Sequence, residues 1–185
     1  MAVPLGLVNA ESPDLVLATE EAVAAWAATE EDYLSAVDEL ASREDGVAIV
    51  RRGGHSYLLW YIDDPGTTDV FAIDGGCLLV RTWPDTDEEQ HLVDSAARAE
   101  RAADPPLLTL QVPSEQWVLL WAALNGTDIA EARAEASGPA LDAAGMGQTA
   151  LVLQFPVGAA AVSVGRFEDD PRGIAIYLKL NWSPA

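Results

Sequence analysis

Tight turns between short apolar stretches constrain the fold of this chain more than any other feature. Gly53-Gly54 and Asp74-Gly75-Gly76 each lie between two such stretches. The flanking stretches are residues 47–51 and 57–62 for the first turn, and residues 70–73 and 77–83 for the second. Glycine adopts the positive φ angles that two-residue hairpin loops require. Each turn therefore predicts a β-hairpin, and hairpins favour an antiparallel sheet over alternating strand-helix-strand units.

Helical patterns and further strands complete an α+β sequence. Thr19 is predicted to cap a helix through Trp26, because Glu20 and Glu21 follow in its first turn. Further helices are predicted over residues 31–42, 85–103 and 128–136, and further strands over residues 5–8, 15–17, 108–113, 117–120, 151–156, 161–164 and 174–180. We expect a single α+β domain over residues 1–185, with mainly antiparallel sheet built from hairpins and packed with three or four helices. A division into two sub-sheets stays open.

Two similar six-residue segments lie within residues 105–185. Residues 108–113 recur in similar form as residues 151–156, and each copy ends in proline. A second extended stretch follows each copy, at residues 117–120 and 161–164. We interpret each copy and its follower as an antiparallel strand pair joined by a short Pro-containing loop. A true duplication and two ordinary strands ending at a proline both remain open.

The charge of the chain is strongly negative and unevenly distributed. Its 185 residues include 30 Asp and Glu against 10 Lys and Arg, for a net charge of −20. This excludes nonspecific binding to nucleic acid or to an anionic membrane, because both need clustered basic residues. Residues 1–104 hold 22 acidic and 6 basic side chains, whereas the near-neutral residues 105–185 hold 8 and 4. We therefore expect an acidic surface in the first part that attracts a basic partner.

Cysteine usage and the pattern of apolar residues predict a cytoplasmic protein. Cys77 is the single cysteine, so no internal disulfide can form. No basic residue precedes Arg43, and no apolar run reaches the roughly 18 residues of a membrane span. We expect the protein to stay where it is synthesised.

No pattern in the sequence predicts catalysis, a metal or a cofactor. Cys77 could act as a nucleophile at an exposed turn, but a half-buried strand position explains it better. His55 and His91 lack partners at metal-ligand spacing, and we interpret both as surface histidines. We therefore expect a protein that is not an enzyme and that has no catalytic residues, no metal site and no cofactor.

Aromatic residues suggest where a partner could bind. Residues 116–124 carry apolar side chains on both strand faces, which favours a strand covered on both sides over one that keeps a face for a partner. The 57–62 strand combines aromatic residues with nearby carboxylates, a composition typical of a hot spot for a basic protein. The predicted partner-binding residues are Tyr57, Trp60, Tyr61, Asp63, Asp64, Asp69 and Asp74.

The order of several short motifs resembles a known family. These motifs are Asp14-Leu15-Val16-Leu17, the helix with Trp26, Asp32-Tyr33, Tyr57-Leu58-Leu59, Asp63-Asp64-Pro65, Thr67-Thr68, and Gly75-Gly76-Cys77-Leu78-Leu79-Val80-Arg81-Thr82-Trp83. Together they resemble the actinobacterial immunity proteins of family twenty-one, one of the families that neutralise polymorphic toxins. The resemblance implies a small cytoplasmic antitoxin that binds and blocks a cognate toxin and needs no catalytic residues. An acidic inhibitor suits a basic toxin.

Two other functions stay open at this point. The chain could be an enzyme or small-ligand protein that uses Cys77 or an acidic cleft assembled from distant positions. It could also be an acidic interaction module of another assembly, which would differ from an immunity protein only in the identity of its partner.

Overall fold

Two six-stranded antiparallel sheets make up most of the fold. The computed structural model describes residues 1–12, 14–27, 30–62, 64–84, 88–169 and 173–183. In chain order the elements are β1 (Val3–Ala10), β2 (Asp14–Thr19), α1 (Glu20–Ala24), α2 (Glu30–Ala41), β3 (Val47–Arg52), β4 (His55–Tyr61), β5 (Gly66–Ile73), β6 (Gly76–Pro84), α3 (Glu88–Arg101), β7 (Leu108–Val112), β8 (Gln116–Trp121), α4 (Gly126–Glu135), β9 (Ala140–Leu141), β10 (Ala150–Gln154), β11 (Gly158–Asp169) and β12 (Gly173–Ser183). This confirms the predicted α+β class and resolves it into two sub-sheets.

The strand order separates the two sheets completely. The first sheet runs β1-β5-β6-β12-β11-β7, and the second runs β3-β4-β2-β8-β10-β9. Among the described residues, no helix is both long and apolar enough to cross a membrane.

The chain also divides into two compact units that interleave along the sequence. The first unit comprises Met1–Gly6, Thr68–Pro113 and Gly158–Ala185, and the second comprises Leu7–Thr67 and Ser114–Val157. The first unit holds 12 acidic and 6 basic residues, and the second holds 18 acidic and 4 basic residues. The acidic surplus is therefore concentrated in the second unit, with net charges of −14 and −6.

Both predicted hairpins are confirmed. Strands β3 and β4 pair up to Arg52 opposite His55, which leaves Gly53-Gly54 as the two-residue loop. The two glycines have φ angles of 56° and 88°, values that disfavour any residue with a Cβ atom. Strands β5 and β6 close in the same way around Asp74-Gly75.

The predicted strand pairs around the two prolines are wrong. Strand β7 lies in the first sheet and β8 in the second, and β10 and β11 are separated in the same way. The observed antiparallel partners are instead β8 with β10 and β7 with β11. The connections at Pro113 and Pro156 therefore lead from one sheet to the other and form no hairpin.

In the second unit, helices cover one face of the sheet. Trp26, Leu40, Tyr57 and Leu120 belong to this core, and Trp26 Nε1 donates to the carbonyl oxygen of Ala122 at 2.9 Å. The residues that alternate with the core members of β8 are buried as well, since each of the four side chains in residues 117–120 is at most 1% exposed. Both faces of strand β8 are thus covered, which is the alternative that the sequence of residues 116–124 favours.

In the first unit, α3 packs on the sheet over a core of small and aromatic residues. Ala96 and Ala99 of the helix lie against Val80 and Tyr177 of the strands. The helix begins with acidic residues and ends with Arg98 and Arg101, so the side-chain charges at both ends offset the partial charges of the helix dipole, as predicted. Residues 85–87 of the predicted helix lie outside the described part of the chain.

Candidate functional site

The seven predicted partner-binding residues fall into different environments. Tyr57 is 1% exposed, and its hydroxyl donates to the carbonyl oxygen of Ala22 at 2.9 Å. Trp60 is 4% exposed. The structure therefore places both aromatic residues in the protein interior, where a partner does not reach them.

The remaining predicted residues are more accessible. Tyr61 is 40% exposed at the end of β4, and Asp64 is exposed shortly after it. Asp63 lies outside the described residues. In the first unit, Asp74 is exposed in its hairpin loop and Asp69 is half-buried. Burial raises the pKa of Asp69, and the nearby Glu88 carboxylate raises it further.

Tyr61 lies beside a buried carboxyl group that sequence reasoning missed. Asp14 is directly opposite Tyr61 in the β2–β4 ladder and is only 2% exposed. Strand residues two apart share a face, so Asp14 lies on the same face as the core residues Val16 and Ala18. This alternation is the sequence signal that could have identified Asp14, because it places a carboxyl group in line with core residues.

A chain of hydrogen bonds links Asp14 through Tyr33 and Ser12 to Trp121, and we call these four residues the Asp14 network. The Tyr33 hydroxyl donates to Asp14 Oδ2 at 2.9 Å. The same hydroxyl lies 3.2 Å from Ser12 Oγ, which accepts from Trp121 Nε1 at 2.5 Å. The network thus fixes two partly exposed aromatic side chains around one carboxyl group.

The electrostatics of the network favour neutral groups. Asp14 Oδ1 is buried and has no hydrogen-bond partner among the described residues. Burial raises the pKa of Asp14, although the hydrogen bond from Tyr33 opposes this shift. Burial also raises the pKa of Tyr33, and the Asp14 carboxylate adds to the rise. A buried acceptor without a donor is costly. Asp14 Oδ1 is therefore an atom that would gain from accepting a hydrogen bond.

Other candidate chemistry receives little support. Cys77 is 2% exposed, and burial raises its pKa to about 12, which suppresses the nucleophilic thiolate. The expectation of a surface position is wrong for His91, which is buried with Nε2 3.3 Å from the carbonyl oxygen of Ile174. Within the described residues, no group of three or more His, Cys, Asp or Glu side chains could hold a metal ion.

The two sheets and the acidic second unit define an α+β protein in which the exposed Tyr61 at the end of β4 lies opposite the buried Asp14. Comparisons of the chain with protein-family models, with curated proteins and with solved structures gave no match.

Proposed function

We propose that the protein is a cytoplasmic immunity protein that binds and neutralises a basic toxin in a stoichiometric complex. The binding surface comprises Tyr61, Asp64 and the exposed edges of Tyr33 and Trp121, and we call it the Tyr61 surface. The observation that carries the proposal is the position of Tyr61, an exposed aromatic side chain directly opposite the buried Asp14.

The chemistry of this surface suits a basic partner. Aromatic side chains supply contact area and accept cations over their ring faces, and tyrosine and tryptophan are enriched at binding hot spots. Tyr33 and Trp121 are fixed by hydrogen bonds, so little side-chain entropy is lost when a partner binds. The surface belongs to the second unit, whose net charge of −14 would steer a basic protein toward it.

The test measures binding to the product of the neighbouring toxin-like gene. We expect a stable complex that weakens with added salt, because the attraction between opposite net charges is screened. Tyr61→Ala should weaken binding by about 30-fold, which corresponds to a hot-spot loss of about 2 kcal/mol. Asp64→Asn should weaken it less and should reduce the salt dependence.

Glu131→Gln supplies the matched control, because it removes an exposed carboxylate of the same unit outside the Tyr61 surface. It should leave the affinity within about twofold, since an isolated surface charge contributes little. Equal effects of Asp64→Asn and Glu131→Gln would show that net charge alone drives association. No complex at low salt with any neighbouring toxin-like product would refute the proposal.

The alternative of an enzyme that uses Cys77 is disfavoured by the burial of the thiol. An acidic interaction module of another assembly would use the same surface, and only the identity of the captured partner separates it from an immunity protein.

A further inference from the structure

A small apolar cavity lies at the opposite end of β2 from the Tyr61 surface. It has a volume of about 140 Å³ and lies between α1 and α4. Its lining is apolar and includes Val23, Ala24, Val118, Ile129, Ala130 and Leu141. An engineered apolar cavity of roughly 150 Å³ takes up a benzene molecule. The space therefore suits one leucine or phenylalanine side chain.

A close contact between the two helices forms the inner end of the cavity. The backbone N–H of Gly126 donates to the carbonyl oxygen of Trp26 at 2.8 Å. A Cβ atom at Gly126 would lie 1.6 Å from the carbonyl oxygen of Val23, so only glycine permits this approach. The outer wall consists of the small side chains Ala24 and Ala130, which leave the space between the helices unfilled.

The charged residues at the rim of the cavity are one acid and one base, and a neighbouring depression adds further carboxylates. Arg133 Nε lies 3.6 Å from the Glu20 carboxylate at the rim. Glu20 also lines a shallow depression together with Glu21 and Glu115. Within this depression the described lining contains three carboxylates and no cation, so one arginine at the rim leaves an acidic excess.

We propose that this cavity binds one apolar side chain of a partner protein, from a segment in which basic residues flank that side chain. The apolar group enters between α1 and α4, and the basic groups lie against the three carboxylates. An apolar cavity selects the first group and charge complementarity selects the second. This proposal rests on the proposed function for the kind of partner, but it depends on different residues from the Tyr61 surface.

The test uses the full chain and three capped tripeptides as probes. These are acetyl-Lys-Leu-Arg-amide, its Leu-to-Ser counterpart, and acetyl-Glu-Leu-Glu-amide. Binding is followed by NMR through the methyl signals of Val23, Ile129 and Leu141. We expect the basic leucine peptide to bind at least tenfold more tightly than the serine peptide, since burial of one leucine side chain supplies that factor. The acidic peptide should bind more weakly than the basic leucine peptide.

Matched variants on one helix locate the binding site. Ala130→Leu fills the cavity from its outer wall, whereas Ala134→Leu adds the same side chain one turn further on, at an exposed position outside the lining. Ala130→Leu should abolish the preference for the leucine peptide, and Ala134→Leu should preserve it. Ala24→Leu fills the cavity from α1 and provides a second test if Ala130→Leu does not fold.

Several outcomes would overturn the proposal. Equal affinities for the leucine and serine peptides, or equal effects of the Ala130 and Ala134 variants, would show that the cavity takes no side chain. Uptake of benzene without discrimination between the peptides would make it a site for small apolar molecules only. If toxin binding were lost in Tyr61→Ala but unchanged in Ala130→Leu, the proposed function would stand and this inference would fall.

Discussion

The single lysine of the chain is buried, and its replacement gives the sharpest test of the fold. Lys179 of β12 is 4% exposed. Its Nζ atom donates to the carbonyl oxygens of Ala99 at 3.0 Å, Glu100 at 3.5 Å and Ala102. These carbonyls lie at the C-terminal end of α3, where an α-helix leaves carbonyls short of internal donors, although that of Ala99 also accepts from the backbone N–H of Ala102 at 3.2 Å. The ammonium group therefore both caps the helix and opposes the negative end of its dipole.

Lys179→Met removes the donors while retaining the length of the apolar stem. A buried carbonyl that loses its partner costs about 1–3 kcal/mol. This full cost falls on Ala102 alone, because the carbonyl oxygen of Ala99 keeps the backbone N–H of Ala102 at 3.2 Å. Methionine avoids the cost of burying an ammonium group, which offsets part of that loss. We expect a net destabilisation of about 2 kcal/mol, which lowers Tm by roughly 4–8 °C in a chain of this size.

Urea denaturation followed by tryptophan fluorescence measures the change. Arg166→Met on the neighbouring strand is the control, because the exposed Arg166–Glu168 ion pair should contribute at most about 1 kcal/mol. Amine-reactive labelling adds a direct readout, since Lys179 is the single lysine of the 185 residues. Lys179 should react slowly in the native protein and quickly after unfolding in urea. Equal labelling rates of Lys179 in the native and unfolded protein, or an unchanged urea midpoint in Lys179→Met, would refute the cap.

Two further predictions concern titratable groups. The raised pKa of Asp14 means that the folded state binds its proton more tightly than the unfolded state, so the stability it contributes falls as pH rises from about 4 through the native pKa. Asp14→Asn should therefore gain stability relative to wild type as pH rises over that window, and a constant difference between the two denaturation series would contradict this. A pKa of about 12 leaves Cys77 with about a thousandth of the thiolate of an ordinary cysteine. A thiol reagent should accordingly modify it only after unfolding, and rapid reaction of the native protein would count against its burial.

Elements with strong local chemistry could be predicted from the sequence. The sequence predicts Thr19 as a helix cap, and its Oγ1 accepts from the backbone N–H of Ala22 at 3.2 Å. The two hairpins are predictable because a glycine loop determines both the turn and the pairing of the strands beside it. In each case the deciding interaction joins residues a few positions apart, which a single sequence displays directly.

The prediction of strand pairs at Pro113 and Pro156 is wrong because the true partners of these strands are distant in sequence. Residues 113–115 and 155–157 contain no glycine, asparagine or aspartate, so neither connection has the residues that a tight hairpin requires. Strand β7 pairs instead with β11, about fifty residues further along the chain. The Asp14 network depends on a contact that is even more distant in sequence, since Ser12 accepts from Trp121, and no local pattern reveals such a pairing.

The division into two units changes what the negative charge implies. Counted along the chain, the surplus lies in residues 1–104; counted by structure, it lies in the second unit, at −14 against −6. Both proposed contact sites belong to that unit. Asp14 begins β2 and Glu20 follows its last residue, so the sites lie about 20 Å apart at roughly 3.3 Å per strand residue. A standard interface covers about 800 Å² per partner, which corresponds to a circular patch about 32 Å across. One basic partner of ordinary size can therefore contact the Tyr61 surface and the apolar cavity together. A partner whose contact segment carries an apolar anchor would then bind more tightly than a partner that is only basic.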